Sequence, residues 1–462
     1  MNNLSLSLYL LSLFMSTPAR QSEKENDEKQ ITHDLTYNHD LDNNDNFSPD
    51  GKWLVYDTRT DEGGIAASPR IEMVNIETGE IKTLFEIKNN EIWGPGAGAV
   101  SYGPNTNSVV FIHGLANSTR ENPYQQWRRT GVIIEDSNPN VPIFMDSRDV
   151  IPPFTAGALR GGTHRHEWSG DGNWIGFTYN DAILKALEDS TGTMRNLRSI
   201  GVSKKIQPVS VNKNPENISG EWFSALVVRV VPQPKPGSDE ISHAASDSWV
   251  GVNGYRRPDG KMQMARAFLG TVTDKNGKSV HEVFIVDIPE DITKPGDLGP
   301  LEGTDTDFPM PPKGTVQRRL TFTANQKFPG CSEIVRSSAD GRLLAFISKD
   351  EKGIEQVFLI SPAGGVPEQL TYHESDVSGN LRWHPDGNHL SYTLNGSIIL
   401  CKIGKETFGD RIETLTKATN HFPTNIVWSP DGKMFAFNRL VESENGKNAS
   451  LQIFIKEYLS KH

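Results

Sequence analysis

Apolar and polar residues alternate along several short stretches of this chain, and each stretch contains a tight turn. Pro-Asp-Gly or a related sequence forms the turn, and an apolar run follows it. These turn residues tolerate positive φ, and alternation is typical of a strand, so each stretch predicts a β-hairpin. The six copies read NFSPDGKWLVYDT from Asn46, SYGPNTNSVVFIHG from Ser101, EWSGDGNWIGFTYND from Glu167, RSSADGRLLAFISKD from Arg336, RWHPDGNHLSYTL from Arg382 and VWSPDGKMFAFNRL from Val427.

The spacing of these copies predicts a β-propeller. The turn residues Asp340, Asp386 and Asp431 are separated by 46 and 45 residues, the length of one four-stranded blade. The first three copies are separated by 55 and 66 residues, so we expect insertions in those blades.

One blade is missing from the visible series. Asp171 and Asp340 lie 169 residues apart, with strand-like stretches from Gly220 and from Lys278 between them. We interpret this region as one degenerate blade with its loops. The total is then seven blades, and eight stays open as an alternative.

The two ends of the chain are predicted to close the ring. An Ile-Thr or Leu-Thr pair precedes several of the turns and marks the end of a blade, in segments that start at Lys29, Arg318, Glu368 and Glu413. The chain therefore starts with such a segment and finishes with the strand-like SLQIFIKEYL from Ser450. We predict an all-β fold with a single propeller.

The N-terminus differs from the rest of the chain. Leu4 to Met15 form an apolar and serine run, and Thr17-Pro18-Ala19 suits cleavage by a signal peptidase. We therefore predict a signal peptide at residues 1–19, a polar linker at residues 20–30 and the propeller at residues 31–462. Export to the periplasm or the medium follows if the leader is cleaved, and a cytoplasmic location follows if it is not.

Composition excludes several classes of function. The formal net charge of -11 argues against a nucleic-acid partner or an anionic membrane, because both need clustered Lys and Arg. The apolar run at the N-terminus is too short to span a bilayer. Cys331 and Cys401 are too few for a disulfide framework, and we interpret them as core residues. We expect a monomer.

The stretch RGGTHRHEW, from Arg160 to Trp168, carries the candidate chemistry. It precedes a turn, so we expect it to form the innermost strand of its blade and to line the channel. Alternation would then turn His164 and His166 to the same side, where two imidazoles can chelate a divalent ion such as Mn, Ca or Zn. The alternative is that the two histidines bind only water.

Three further residues are predicted at the same mouth of the channel. Arg160 would offer a cation to a carboxylate or phosphate, and the two glycines after it would leave room for that group. His39 and His421 precede their own turns by 11 and 10 residues, where the loops that lead into inner strands meet. His113 and His389 fall within strand patterns and are interpreted as structural.

The repeated LT…WSPDGK…F unit resembles that of the TolB-like propellers. From about residue 29 to the end, the chain is similar to the YidR-type family within that group. The similar stretches are NHDLDNNDNFSPDGKWLVYDTR, LRGGTHRHEWSGDGNWIGFTYND, PGSDEI and GTVQRRLTFT. A more distant resemblance, carried by NNDNFSPDGKWLVYDT, is to oligogalacturonate lyases. That resemblance implies a seven-bladed propeller with a divalent metal held by three histidines and a glutamine, of which the His164 and His166 strand is the part that matches.

Two functions remain open. The first is a metal-dependent carbohydrate enzyme, most simply a lyase on uronate-containing oligosaccharides, in which a cation and a base assist removal of a proton next to a carboxylate. His164 and His166 would hold the metal, Arg160 would bind the carboxylate, and His39 or His421 would be the base. The second is a non-catalytic envelope protein that binds an acidic oligosaccharide or peptide at the channel. A third and fourth ligand beside His164 and His166 would favour the first function.

Overall fold

A computed structural model of the chain describes residues 27–42, 45–443 and 449–459. The predicted signal peptide and most of the predicted linker lie outside these residues. Within them, seven four-stranded antiparallel sheets form a ring, so the seven-bladed propeller is confirmed. No helix in these ranges is long and apolar enough to cross a membrane.

In each blade the strands run from the inner strand at the central channel to the outer strand at the rim. The first blade consists of Asn38–Asp40, Trp53–Arg59, Arg70–Asn75 and Ile81–Glu86. The second consists of Ala97–Tyr102, Ser108–Gly114, Arg129–Glu135 and Ile143–Phe144. The third consists of Gly161–Trp168, Trp174–Asp181, Arg198–Lys204 and Phe223–Leu226.

The fourth blade consists of Ile241–Trp249, Ala265–Thr273, Ser279–Asp287 and Val316–Arg319. The fifth consists of Cys331–Ser337, Leu344–Lys349, Glu355–Ile360 and Glu368–Gln369. The sixth consists of Arg382–Trp383, His389–Leu394, Ser397–Lys402 and Ile412–Thr414. The seventh consists of Thr424–Trp428, Met434–Glu442, Ala449–Glu457 and Lys29–Gln30.

The remaining elements are short and lie between these strands. They are the helix Ala182–Thr191, the 3-10 turns Thr323–Asn325 and Phe408–Arg411, and the strand pairs Ser147–Arg148 with Ala158–Leu159 and Tyr255–Arg256 with Met262–Gln263.

The chain ends close the ring, as predicted. Lys29 pairs with Ile455 and Gln30 with Phe454, so the outer strand of the seventh blade comes from the N-terminal side. Assigning residues 29 and 30 to the linker was therefore wrong, because their backbone completes this sheet. The strand-like stretch after Gly220 supplies the outer strand of the third blade, and the stretch from Lys278 belongs to the fourth blade, the one additional blade of this region.

Apolar side chains pack between adjacent blades. In the described residues one buried cluster lies at each of the seven blade interfaces. Burial of this apolar surface holds the sheets face to face, so the interfaces carry the stability of the ring and leave the channel to polar residues. Cys331 and Cys401 are free and buried in this core, as predicted.

Candidate functional site

The inner strands do not alternate regularly. Five of the seven contain a non-glycine residue in the left-handed region, and those of the first and sixth blades have one close to them in the chain, with φ between 53° and 70°. In five blades the pairing register shifts at this point, which is the mark of a β-bulge. The seven residues are Asp45, Ala99, Arg165, Ser246, Glu333, Asn380 and Asn425.

These bulges bring polar groups of neighbouring blades into contact around the channel. The backbone N–H of Asn425 donates to Asn380 Oδ1 at 2.9 Å, and the N–H of Asn380 donates to Glu333 Oε2 at 3.3 Å. Asn425 Nδ2 also donates to Asp40 Oδ1 at 2.9 Å in the first blade. Left-handed non-glycine residues are costly unless their surroundings hold them, and they often mark functional sites.

Six arginines form one electrostatic group at the channel, which we call the arginine cluster. Burial, together with repulsion from Arg165, lowers the pKa of Arg382 to about 10 and lowers that of Arg336. Burial and the charge of Arg129 likewise lower the pKa of Arg198 to about 10. Cations that depress one another's pKa lie close together in a poorly solvated place. The members are Arg59, Arg129, Arg165, Arg198, Arg336 and Arg382.

Several guanidinium nitrogens of this cluster have no hydrogen-bond acceptor within the described protein. They are Arg129 Nε, Arg198 Nε, Arg336 Nε, Arg336 Nη2 and Arg382 Nε. A buried donor without a partner costs about 1–3 kcal/mol, so native proteins rarely leave several in one place. Those of Arg336 and Arg382 belong to side chains that line one cavity, which indicates a site for an anion there.

A cavity of about 370 Å³ opens beside Arg336 and Arg382, at the end of the channel where the hairpin turns lie. Asp45 and Glu167 supply negative charge to its wall. Five aromatic residues also line it, namely Phe47, Tyr102, Trp249, Trp383 and Trp428. Aromatic faces beside the two arginines suit a ligand that has both apolar ring faces and acidic groups.

His164 and His166 lie on the inner strand, as predicted, but the bulge at Arg165 separates them. The register shifts between His164 and Glu167, and this extra residue interrupts the alternation that would turn both rings to one side. His164 Nε2 lies 3.1 Å from Asn180 Oδ1, and His166 Nε2 lies 2.9 Å from Thr163 Oγ1.

The surroundings of these two histidines suit an anion better than a metal ion. Burial, followed by the charge of Arg129, lowers the pKa of His166 to about 3, and burial with Arg129 and Arg198 lowers that of His164. Nearby guanidinium groups repel a divalent cation as they repel an imidazolium. Across the described ranges, the one group of three or more metal-ligating side chains with converging ligand atoms lies elsewhere. The metal role of His164 and His166 stays a prediction.

Arg160 is enclosed by protein and not open to solvent as expected, and its role in binding a carboxylate stays a prediction. Its side chain is fully buried, its Nη2 donates to Asp181 Oδ2 at 2.8 Å, and its Nη1 donates to the carbonyl of Thr304. The two glycines after it are required by close backbone packing, not by a ligand. A Cβ on Gly161 would lie 1.9 Å from the Asn180 carbonyl, and one on Gly162 would lie 2.1 Å from that of Gln126.

The two predicted bases lie in different surroundings. His39 is on the inner strand of the first blade, 1% exposed, with its ring centroid 4.9 Å from that of Tyr56. Burial lowers its pKa to about 4, so it is neutral at pH 7. His421 lies on the loop before the seventh blade with its side chain 39% exposed, 3.7 Å from Glu442. Their catalytic roles stay predictions.

The sequence analysis did not predict the arginine cluster, although two of its arginines occupy a recurring position in the repeat. Glu167, Arg336 and Arg382 are the first residues of three repeat copies, each two positions before the residue that starts the turn. A charged residue recurring at one position of a buried repeat is unusual, because burial of charge is costly. Arg59, Arg129 and Arg198 lie at strand ends and carried no such pattern.

Comparison with known proteins places this chain in a family. The family described as Protein of unknown function (DUF3748) matches residues 96–217. Uncharacterized protein YidR of Escherichia coli (strain K12) is 37% identical over 418 residues, which cover 88% of this chain and 94% of that protein.

Two solved structures of oligogalacturonate lyase share the propeller fold. One, in complex with manganese, is 11% identical with a TM-score of 0.50 over 93% of each chain. The other, from Vibrio parahaemolyticus, is 10% identical with a TM-score of 0.52 over 94% of each chain. TolB structures also match, with TM-scores of 0.36 and 0.33. At this identity the likeness concerns the fold, whereas the close relative shows that the chain belongs to the YidR family.

Proposed function

We propose that this protein binds an acidic oligosaccharide in the cavity beside Arg336 and Arg382. The observation that carries the proposal is that Arg336 and Arg382 both line this cavity and both keep guanidinium nitrogens without a protein acceptor. Arginine pairs with carboxylates through parallel hydrogen bonds, so a guanidinium group with free donors suits one acidic group of a ligand.

The aromatic residues favour a sugar over an acidic peptide. Trp249, Trp383 and Trp428 line the same cavity as the two arginines. A pyranose ring has an apolar face that packs on indole, while its carboxylate reaches the cation beside it. A peptide rich in Asp and Glu would use the arginines and would gain no ring packing from the indoles.

Titration calorimetry tests the proposal with an oligogalacturonate of defined length as the probe. We expect binding that weakens as salt rises, because exposed charge interactions are screened. A neutral oligosaccharide of the same length controls for aromatic stacking alone, and an acidic peptide controls for charge alone. Equal affinity for the peptide would overturn the choice of a sugar, and no binding of either acid would overturn the proposal.

The lyase hypothesis is tested in the same samples. Oligogalacturonate lyases suggest the probe, and a manganese-bound example suggests a metal requirement. Incubation with manganese, calcium or zinc should be followed by ultraviolet absorbance for unsaturated uronate products and by elemental analysis of the protein. Product formation that chelation abolishes would make the protein a metal-dependent lyase, with Arg336 and Arg382 holding the carboxylate. Binding without product supports a non-catalytic carbohydrate-binding protein.

A further inference from the structure

The turn of the sixth blade differs from the turns of four other blades. In those four, a serine hydroxyl donates to the aspartate Oδ1 two residues later, at 2.6 to 2.7 Å. The four serines are Ser48, Ser169, Ser338 and Ser429. The sixth blade has His384 at this place, and it has a second histidine, His389, five residues later.

The two imidazoles and the turn carboxylate converge. His384 Nδ1 lies 3.0 Å from Asp386 Oδ1, and His389 Nδ1 lies 2.7 Å from Asp386 Oδ2. One ligand atom from each of the three residues lies within 4.8 Å of the other two. Ligands bound tetrahedrally at about 2.0–2.1 Å from zinc are about 3.3 Å apart, so small movements bring these atoms to that spacing.

The ring of His384 is held in the orientation of a metal ligand. Its Nε2 lies 3.0 Å from the Gly432 carbonyl, which only accepts, so Nε2 carries the proton. The ring also packs at right angles to Trp428, with centroids 4.7 Å apart. Metal-binding histidines commonly donate their other ring N–H to a backbone carbonyl, which fixes the tautomer and leaves a lone pair for the metal.

This tautomer creates a contact that a cation would resolve. With the proton on Nε2, Nδ1 of His384 has a lone pair, which accepts the backbone N–H of Asp386 at 3.2 Å and also lies 3.0 Å from the carboxylate oxygen of Asp386. Two acceptors at this distance repel each other. A metal ion between them would bind both and would also reach His389.

The geometry points to a binding site for one divalent transition metal, with zinc as the preferred ion, formed by His384, Asp386 and His389. Two imidazoles and one carboxylate are ligands that zinc takes, and they are less suited to magnesium or calcium, which prefer oxygen. The side chains of His389 and Asp386 are 26% and 36% exposed, so a fourth position is open to water. The site shares no ligand with the arginine cluster and stands apart from the proposed function.

Zinc titration of the full chain tests this site after removal of metals by a chelator. We expect one zinc ion bound by the wild type and a rise in Tm on binding, because a ligand that binds the folded state stabilises it. The matched variant is His384→Ser with His389→Leu, which carries the residues that the fifth blade has as Ser338 and Leu343. It should lose that zinc ion while its metal-free Tm stays near that of the wild type.

Two further variants keep the test decisive. Asp386→Asn retains an acceptor oxygen for the turn and should weaken zinc binding by at least about tenfold, since the charged ligand is lost. His281→Ser removes an exposed histidine far from this turn in sequence and should bind as the wild type does. Zinc binding that Asp386→Asn and the double variant leave unchanged, or a wild type that binds no zinc, would overturn the inference.

Discussion

Arginines on opposite sides of the channel have different surroundings. Arg59 of the first blade lies 2.7 Å from Asp57, 2.9 Å from Asp42 and 3.4 Å from Asp40. Among the described residues, Arg336 of the fifth blade has one carboxylate within 4.0 Å, that of Glu167 at 3.9 Å, and Glu167 lies closer to Arg266, at 3.0 Å.

The difference separates a structural arginine from a binding arginine. The carboxylates around Arg59 also accept bonds from other blades, since Asp57 Oδ2 accepts the Ala99 N–H at 2.6 Å and Asp40 accepts from Asn425. Arg59 therefore joins the seventh, first and second blades. Arg336 and Arg382 keep donors without a protein acceptor, so they contribute little to holding the ring together.

Breaking the Arg59 network should have the largest effect. Arg59→Met leaves three carboxylates close together in a poorly solvated place. We expect a loss of about 3–5 kcal/mol in the free energy of unfolding, as when one partner of a buried ion pair is removed. Urea denaturation followed by tryptophan fluorescence measures it. A loss below about 1 kcal/mol would show that the network contributes no more than a surface ion pair.

Arg336→Met should have little effect on stability and a large effect on ligand affinity. Removing a buried cation with few partners should change the free energy of unfolding by no more than about 1 kcal/mol. Affinity for oligogalacturonate should fall by at least about tenfold, as expected for loss of a charge-assisted contact. Arg342→Met is the matched control, because Arg342 is on the same blade with its side chain 73% exposed. A variant that unfolds while the control does not would contradict the comparison.

Asp45 should make ligand binding depend on pH. Its enclosure by the ring, together with the charge of Glu167, raises its pKa to about 6. As pH falls through 6, Asp45 becomes neutral and stops competing for Arg336 and Arg382, while a uronate stays ionised down to about pH 4. We expect binding about three- to tenfold tighter at pH 5 than at pH 8.

Asp45→Asn should bind tightly at both pH values, which titration calorimetry can measure. The raised pKa also affects stability, because the folded state holds this proton more tightly than the unfolded chain. Its stabilising contribution is full below about pH 4 and is lost as pH rises through about 6. An unchanged pH profile in the variant would show that another group, such as Asp40 with its pKa raised by burial to about 7, controls binding.

The smallest effect is expected at Trp383. Its Nε1 donates to the Arg336 carbonyl at 2.9 Å, so the indole both lines the cavity and orients the inner strand of the fifth blade. Trp383→Phe keeps a ring face and loses this bond, which should reduce the free energy of unfolding by about 0.5–1.5 kcal/mol. Affinity for oligogalacturonate should fall only two- to threefold, about 0.5 kcal/mol. A tenfold loss of affinity would show that contact with the indole provides much of the binding free energy.

The turns and their spacing were predictable because they depend on local chemistry. Gly51, Gly172, Gly387 and Gly432 adopt positive φ near 70°, as the Pro-Asp-Gly pattern requires. A repeated hairpin cannot bury its apolar face alone, so copies 45 and 46 residues apart imply a ring of blades. Closure of the ring followed from the complementary ends of the chain.

The candidate site was decided by contacts that no local pattern contains. The sequence at the Arg165 bulge has no turn-forming residue that would predict it. The bulge nevertheless separates His164 from His166 and contradicts the alternation expected for a strand. Arg160 looked accessible in the sequence, but Asp181 and the loop at Thr304 enclose it. The sequence by itself determined that the blades repeat and that the ring closes, because hairpins and apolar faces are local features. Only the tertiary structure decided which arginines are paired and which remain available to a ligand, because that depends on carboxylates supplied by other blades.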